Sequence, residues 1–283
     1  MPELPELQAH AERLNETFTG TTLAGFRPLT FTALKTATPD PATTFDYPVA
    51  SIGRRGKYLL LATEPATFVV HLMQGGRLKP DEKQSAKPRG GIARWSFSDG
   101  RALLLTEPGN ERKAGVWVVT GPLGENEPIA HLGPDADQLV GSGHGDADLA
   151  VLLSAHPMRL HGFLRDQRIL AGIGRRLANE ICHRARLSPF ASTAKLDPGQ
   201  VSALAEAIRS CIAESLTEER ARTEMVGSKD RSGSVHHRIG EPCPVCGDTI
   251  ASVEYRAYTV AYCPTCQTGG KVLADNTTSK FLK

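Results

Sequence analysis

The sequence lacks any long hydrophobic run and any leader of the secretory kind. No apolar stretch approaches the roughly 20 residues that a membrane-spanning helix needs. The first 15 residues carry Glu3, Glu6 and Glu12, where a signal peptide would be basic and then apolar. These absences exclude the membrane and secreted classes. They predict a cytoplasmic protein, in a bacterial-type cytosol or nucleoid, with no membrane partner.

A strong net charge is also missing, because 33 Lys and Arg nearly balance 31 Asp and Glu, for a formal charge of +2. The balance is uneven along the chain. Residues 1–150 hold 15 basic and 18 acidic side chains, a balance of −3, whereas residues 151–283 hold 18 and 13, a balance of +5. A basic C-terminal half is compatible with phosphate binding, although this excess alone does not single out nucleic acid as the partner.

The patterns along the chain predict an α+β protein. Apolar residues recur at helical spacing in the first 20 residues, at Leu4, Leu7, Ala11, Leu14 and Phe18. Short β runs separated by Gly, Pro, Asp and Asn follow to about residue 120, which predicts a β-sandwich with the first helix packed on it. Farther on the apolar spacing is helical again, and Pro198 is placed to begin a helix.

The 283 residues suggest two domains, or one large domain and a small module. We predict an N-terminal β-sandwich domain over 1–130 and a linker over 131–148, where Gly, Asp and Ser are frequent. A helical domain is predicted over 149–228 and a small C-terminal module over 236–283. The polar stretch 226–240 predicts a flexible connection between the last two.

Four of the six cysteines form a metal-binding pattern. Cys243 and Cys246, then Cys263 and Cys266, form two C-x2-C pairs separated by 16 residues, the spacing of a zinc ribbon with a β-hairpin between its pairs. Disulfides and a redox pair are the alternatives, and both fit a cytoplasmic chain with two such pairs poorly. We therefore predict one structural Zn²⁺ and no redox cofactor. Cys182 and Cys211 are expected to be buried, inert thiols.

Three further features could carry chemistry, and each has an ordinary structural alternative. If Met1 is removed, the chain begins with Pro2 and Glu3, a nucleophilic secondary amine beside a carboxylate, although the pair could simply open a helix. The run Arg54-Arg55-Gly56-Lys57 could bind phosphates or form a solvated turn. Gly172-Ile173-Gly174 before Arg175 could expose a helix N-terminus to an anion or form a tight turn.

In order and spacing, these features resemble the formamidopyrimidine-DNA glycosylase and endonuclease VIII family. The resemblance spans essentially the whole chain and rests on Pro2-Glu3-Leu4-Pro5-Glu6, Arg54-Arg55-Gly56-Lys57, Gly172-Ile173-Gly174 and the four-cysteine ribbon. It implies that the domain over 149–228 is a helix-two-turn-helix DNA-binding domain and that the C-terminal module is a zinc finger. It also implies a bifunctional DNA glycosylase and AP lyase of base-excision repair, acting on oxidised pyrimidines or formamidopyrimidines.

The resemblance also implies roles for individual residues. Pro2 is implied as the Schiff-base nucleophile at C1′, Glu3 as the general acid and base, Lys57 as the proton donor for β-elimination, and Glu6 as a supporting acid. The damaged base must leave the stack to reach Pro2, so base flipping is implied. The implied contacts with DNA are Arg54, Arg55, Gln74, Arg112, Lys113, Gly174, Arg175 and Arg256.

Several positions depart from the family pattern. Gln74 stands where the formamidopyrimidine branch has a Met that fills the gap left by the flipped base, and Ala114 replaces an intercalating aromatic residue. Tyr258 stands at the position of the family arginine assigned to δ-elimination, and Arg256 lies two residues away. We expect β-elimination to dominate unless the hairpin shifts to bring Arg256 into place.

The expected partner is damaged DNA, duplex or single-stranded, bound by a monomer. Two alternatives follow from the altered positions. The chain could be a damaged-DNA-binding protein that does no chemistry, which the retained Pro2, Glu3 and Lys57 argue against. It could also be a glycosylase specialised for bulky or cross-linked lesions, for which the small Ala114 leaves room.

Overall fold

The computed structural model describes residues 1–109, 112–227, 230–255 and 258–273. The chain divides into two compact units, Met1–Leu132 and Gly133–Lys283. Among its described residues, the first unit contains one α-helix and eight strands: α1 (Leu4–Phe18), β1 (Leu23–Pro28), β2 (Ser51–Arg55), β3 (Tyr58–Ala62), β4 (Thr67–His71), β5 (Arg77–Pro80), β6 (Gly91–Phe97), β7 (Ala102–Thr106) and β8 (Gly115–Val119). The second contains α2 (Ala136–Gly141), α3 (Gly145–Ala155), α4 (Leu160–Arg165), α5 (Arg175–Arg184), α6 (Pro198–Arg220), β9 (Ala251–Glu254), β10 (Thr259–Tyr262) and α7 (Pro264–Thr268).

Two antiparallel four-stranded sheets form the first unit, in the orders β1-β6-β7-β5 and β2-β3-β4-β8. Aromatic rings from both sheets meet in the core: Phe68 of β4 lies 5.2 Å from Phe26 of β1 and 5.8 Å from Trp95 of β6, measured between ring centroids. Trp95 and Phe68 are both fully buried. These ring contacts tie the two sheets into a sandwich.

Helix α1 closes one side of this sandwich. Its apolar residues are buried, and Phe18 packs on Phe97 of β6 with ring centroids 4.8 Å apart. The Asn15 side chain accepts a hydrogen bond of 2.7 Å from the backbone N–H of Ile52 in β2, which fixes the helix along the strand. Gly20 then ends the helical segment with a φ of 82°, a left-handed backbone that favours glycine.

The strand pattern in the sequence misses β1 and β5, which lie at the two edges of one sheet. Edge strands are half exposed and carry polar or charged residues, so they lack the apolar run that marks a central strand. In β5 only Leu78 is buried, between Arg77 and Lys79. The β runs that the sequence predicts all correspond to strands of the structure: 51–52, 58–62, 68–71, 93–97, 102–106 and 116–119.

The stretch 131–148, predicted to be a linker, contains helix α2 and the start of α3. Gly, Asp and Ser are frequent there, but Ala136 and Val140 on α2 are buried, as are Leu149 and Leu153 on α3. The burial of these few apolar residues outweighs a composition that is typical of loops, which is why the linker prediction is wrong in this part.

Helix α6 begins where Pro198 predicts it. Asp197 is the N-cap residue: its side chain accepts from the backbone N–H of Gln200, and the Gln200 side chain accepts from the backbone N–H of Asp197. This reciprocal pair satisfies two backbone donors that the helix cannot bond internally. Although α6 has 23 residues, none of the helices in the described ranges is both long and apolar enough to cross a bilayer.

Within the predicted flexible connection 226–240, the segment around Val235 is packed against helix α5. Glu180 of α5 accepts hydrogen bonds from the backbone N–H groups of Ser234, Val235 and His236, at 2.6, 3.1 and 2.8 Å. Val235 is fully buried. One helical carboxylate thus holds three successive backbone groups, a contact that composition cannot reveal.

The predicted α+β class, with N-terminal sheets, central helices and a C-terminal four-cysteine hairpin, is confirmed.

The buried His10 on α1 generates a prediction about pH and stability. Its Nε2 donates to the backbone oxygen of Leu78 at 2.7 Å, and burial lowers its pKa from 6.5 to about 4. Below pH 6.5 the unfolded chain takes up a proton at this residue, whereas the folded chain does so only near pH 4. The free energy of unfolding therefore falls as the pH drops through this interval.

We expect His10→Gln, which keeps a donor and cannot titrate, to remove on the order of 3 kcal/mol of this acid-induced loss. Urea denaturation at about pH 7 and about pH 4.5 measures the difference. The same substitution at the exposed His144 is the control and should leave the profile unchanged. Parallel pH profiles for His10→Gln and the wild type would contradict the assignment.

Candidate functional site

The start of the chain is fixed inside the first unit. Pro2 is buried, and Glu3 and Glu6 are only 4% and 0% exposed. Glu3 is the N-cap residue of α1, and its backbone N–H donates to the Glu6 carboxylate at 2.5 Å. This capping contact holds the first residues in one conformation, where a chain terminus would ordinarily fray. Met1, the residue before Pro2, is 40% exposed.

Lys57 is presented by the tight turn between β2 and β3. Arg55 pairs with Tyr58, so the turn consists of Gly56 and Lys57 alone. Gly56 has a φ of 54°, and Lys57 has a negative φ, the combination of a type II′ turn with glycine at its first position. The Lys57 side chain is half-buried. A rigid two-residue turn thus positions the lysine that the sequence singles out.

The two preceding arginines have structural partners in the first unit. The Arg54 guanidinium donates to the Gln8 side chain of α1 and to the backbone oxygen of Gly56, both at 3.2 Å. Arg55 donates to the backbone oxygen of Leu132 at 3.3 Å. Arg54 therefore braces the Lys57 turn against α1. The predicted phosphate contacts of both arginines stay predictions.

His71 at the end of β4 connects these elements electrostatically. Its pKa is lowered from 6.5 to about 4, chiefly by burial and also by the positive charges of Lys57 and of the Met1 amine. The Nδ1 atom accepts from the backbone N–H of Met73 at 3.2 Å, and the ring packs 4.7 Å from that of Tyr58. His71 is neutral at pH 7 and was not among the residues that the sequence predicted for the site.

Gln74 lies exposed in the turn that follows β4. The turn is closed by a 2.8 Å hydrogen bond from the backbone N–H of Gly76 to the oxygen of Leu72. A Cβ at Gly76 would lie 2.1 Å from that oxygen, so only glycine fits. The turn thus projects Gln74 into solvent, where the sequence predicts contact with DNA.

The segment before β8 is held by a buried carboxylate that sequence reasoning missed. Glu107 is 5% exposed, and its Oε2 accepts from the backbone N–H groups of Lys113 and Ala114, at 2.6 and 2.7 Å. Arg112 and Lys113 are exposed, whereas Ala114 is 2% exposed. The residue at the family's intercalating position is therefore a buried methyl group, which offers no ring to DNA.

A cavity lined by cations lies next to these segments. Its volume is about 710 Å³, and its basic lining residues are Arg77, Lys79, Arg89 and Arg112. Gly75, Gly90 and Gly109 line it as well, which leaves backbone groups accessible. Cations around exposed backbone form a suitable site for phosphate. Only Arg112 of this set was predicted from the sequence, because the other three lie on edge strand β5 and in the loop before β6.

In the second unit, the Gly172-Ile173-Gly174 turn begins helix α5 as predicted. Gly172 has a φ of 99°, and Gly174 is the N-cap residue before the half-buried Arg175. The Gln167 side chain holds the turn: it accepts from Gly172 N–H at 3.0 Å and donates to Ile173 O at 2.8 Å. The turn is therefore preorganised, and its predicted phosphate contact stays a prediction. Arg256, the remaining predicted contact, lies outside the described residues.

The four predicted metal ligands meet at one point. The sulfur atoms of Cys243, Cys246, Cys263 and Cys266 all lie within 4.8 Å of one another. Cys243 and Cys266 are 3.9 Å apart and Cys246 and Cys263 are 3.4 Å apart. A tetrahedral zinc with Zn–S bonds of about 2.3 Å requires sulfur separations of about 3.8 Å, so the cluster fits zinc. The β9–β10 hairpin lies between the pairs, as predicted.

Helix α5 contacts this cluster through His183. Its Nε2 lies 3.3 Å from the Cys243 sulfur, close enough to donate a hydrogen bond to a metal-bound thiolate. Gln267 adds a second connection: it donates to the backbone oxygen of Leu187 and accepts from the N–H of Cys263. Neither contact could be read from the sequence. Cys182 and Cys211 are buried as expected, and burial raises the pKa of Cys211 to about 12, which makes the thiol inert.

The chain is similar to known proteins over nearly its full length. Residues 1–117 match the family model of the formamidopyrimidine-DNA glycosylase N-terminal domain, and residues 240–269 match the zinc finger found in FPG and IleRS. The formamidopyrimidine-DNA glycosylase of Chloroflexus aurantiacus is 30% identical over 277 residues, which cover 94% of this chain and 98% of that protein. The formamidopyrimidine-DNA glycosylase of Pelotomaculum thermopropionicum is 31% identical over 280 residues, which cover 94% of this chain and 99% of that protein.

An uncharacterized formamidopyrimidine-DNA glycosylase-like protein of Mycobacterium tuberculosis is 42% identical over 154 residues, 54% of this chain and 94% of that protein. The crystal structure of MutM (Fpg) from Thermus thermophilus has a TM-score of 0.80 and 26% identity, covering 96% of this chain and 100% of that one. The structure of the Lactococcus lactis Fpg in complex with abasic-site DNA has a TM-score of 0.78 at 17% identity. The match covers 94% of this chain and 99% of that one, so the two proteins share the fold.

The contact between His183 and Cys243 generates a prediction about metal retention. We expect His183→Ala to speed the transfer of zinc to a chromophoric chelator by about 10- to 100-fold, because the thiolate loses the donor that stabilises it. His183→Gln, which can still donate, should release zinc more slowly than His183→Ala. The exposed His144→Ala is the matched control. If His183→Ala releases zinc at the wild-type rate, the hydrogen bond does not support the metal site.

Proposed function

Because the chain belongs to the formamidopyrimidine-DNA glycosylase family, we propose that it is a bifunctional DNA glycosylase and AP lyase of base-excision repair. The proposed substrates are oxidised pyrimidines or formamidopyrimidines in DNA. The observation that supports this best is the fixed chain start, where Pro2 and Glu3 are buried. Lys57 stands in the two-residue turn between β2 and β3 of the same unit. An amine, a carboxylate and an ammonium are thus gathered in one unit.

The first step is base removal. Once Met1 is removed, the Pro2 nitrogen becomes a secondary amine whose lone pair can attack C1′ of the flipped nucleotide. The bond from C1′ to the base breaks and its electron pair leaves with the base. Glu3 carries a proton between the sugar oxygen, the amine and the departing base as general acid and base. Opening of the sugar then gives an iminium ion between C1′ and the Pro2 nitrogen.

The second step is cleavage of the strand. The iminium ion makes a C2′ proton acidic. Water takes this proton, the electron pair of the C2′–H bond forms the C2′–C3′ double bond, and the 3′ phosphate leaves with the electron pair of the C3′–O bond. Lys57 supplies a positive charge and a proton near the departing phosphate. His71 is neutral at pH 7, because its pKa is about 4, so it adds no competing cation there. The four clustered cysteines would hold a zinc ion with no ligand position left for water, so its role would be to stabilise the finger.

The small, buried Ala114 favours a second candidate, a glycosylase specialised for bulky or cross-linked lesions. A buried methyl group anchored through Glu107 cannot replace a ring that stacks on the partner base. The small residue at this position leaves room for a bulky or cross-linked lesion. Incision of the same lesion in single-stranded, bubble and duplex oligonucleotides separates the two candidates.

The nucleophile is tested by borohydride trapping on an oligonucleotide with one abasic site. We expect the wild type, with Met1 removed, to form a covalent complex that Pro2→Gly forms poorly. Retention of Met1 should abolish it, because the Pro2 nitrogen is then an amide. Glu3→Gln should slow base release by about 10²- to 10⁴-fold, the usual contribution of a general acid or base.

Pro41→Gly, at a half-buried proline elsewhere in the same unit, is the matched control and should trap as the wild type does. Mass spectrometry of the trapped complex locates the adduct. Equal trapping by the wild type and by the form that retains Met1 would show that Pro2 is not the nucleophile.

A further inference from the structure

The second unit contains an open cavity of about 630 Å³ between the start of α4, the segment 189–192 and the β9–β10 hairpin. We call it the tyrosine slot and define it by Met158, Arg159, Phe190, Tyr255 and Tyr258, which all line it. Its volume is that of a small-ligand site. No step of the proposed reaction uses it.

The aromatic rings of the slot are preordered. Tyr255 and Tyr258 stack with their ring centroids 4.6 Å apart and their planes 10° apart. The backbone N–H of Tyr255 donates to the oxygen of Tyr258 at 2.9 Å, and the two strands of the hairpin pair on either side. His161 lies nearly parallel to Tyr258, with an interplanar angle of 15° and a centroid distance of 6.1 Å. A flat ligand would meet a ready-made stack at little entropic cost.

Positive charge accompanies the rings. The Arg165 guanidinium lies 4.1 Å from the centroid of Tyr258, a cation–π contact. Arg159 is exposed at the rim and donates to the backbone oxygen of Phe190 at 2.7 Å. Burial raises the pKa of the Tyr255 phenol, which is therefore neutral at pH 7. Among the described residues that line the slot, none is acidic.

Stacked aromatic faces beside arginines, with no opposing carboxylate, are the features by which proteins hold single-stranded nucleic acid. We propose that the tyrosine slot stacks an unpaired base of single-stranded DNA, with Arg159 contacting the adjoining phosphate. The inference rests on the proposed function, which makes DNA the partner. A base inside a duplex has both faces covered by its neighbours, so the slot favours DNA that has an unpaired segment.

The test compares binding of one labelled oligonucleotide as a single strand and as a duplex. We expect Tyr255→Leu, which keeps apolar bulk and loses the ring, to raise the Kd for the single strand about tenfold. Tyr255→Phe keeps the ring and should bind as the wild type does. The Kd for the duplex should change much less, and the salt dependence should persist because the phosphate contacts remain. Tyr47→Leu, at a partly exposed tyrosine of the first unit, is the matched control.

Photocrosslinking of the wild type to a single strand that contains 5-iodouracil is the second measurement, with an adduct on Tyr255 or Tyr258 expected. Because the crosslinking uses the wild type, it still tests the proposal if a variant loses zinc or folds poorly. Wild-type affinity of Tyr255→Leu for the single strand, an equal loss on both substrates, or crosslinks only elsewhere would overturn the proposal. Borohydride trapping runs in parallel: failure to trap with single-strand binding intact would refute the proposed chemistry and leave the slot standing.

Discussion

The site depends first on the anchoring of helix α1, because the proposed nucleophile is a chain terminus. Termini are usually mobile unless tertiary contacts hold them. Here the contacts extend along the whole helix. The Glu3–Glu6 capping bond fixes its start, the Asn15 side chain bonds to strand β2, and the Phe18 ring packs against strand β6. A buried carboxylate such as Glu6 is tolerated only with a hydrogen-bond partner, so the cap and the burial of the chain start stabilise each other.

Local backbone geometry supplies the next part of the site, and this part could be predicted from the sequence. The turn at Gly56, the turn at Gly172 and the start of α6 at Pro198 each require particular residue types at fixed positions. The two C-x2-C pairs also need a particular residue type at fixed positions, because the short turn within each pair directs two thiolates at one metal ion. Such features depend on a few neighbouring residues, and a single sequence contains them entirely.

Contacts between distant residues could not be predicted. Glu180 binds backbone groups more than 50 positions away, and His183 reaches a cysteine 60 positions away. In a sequence, a glutamate on a polar helix face looks like a solvated residue, and nothing nearby indicates that Glu107 is buried. The predicted linker fails for the same reason, since α2 and α3 are stabilised by apolar residues whose packing partners lie on α6 and not in the stretch itself.

Charged and aromatic residues indicate a DNA-binding site only once their positions in the fold are known. The N-terminal half carries a net charge of −3, yet its cavity gathers Arg77, Lys79, Arg89 and Arg112, because the compensating acids lie elsewhere on the chain. Phosphate binding follows the local field and not the sum of charges. Likewise, the chain lacks a ring at Ala114 but places two tyrosines on the hairpin of the other unit. If a base stacks on these tyrosines, as we propose, one of its faces must be exposed, and a continuous duplex offers no such face.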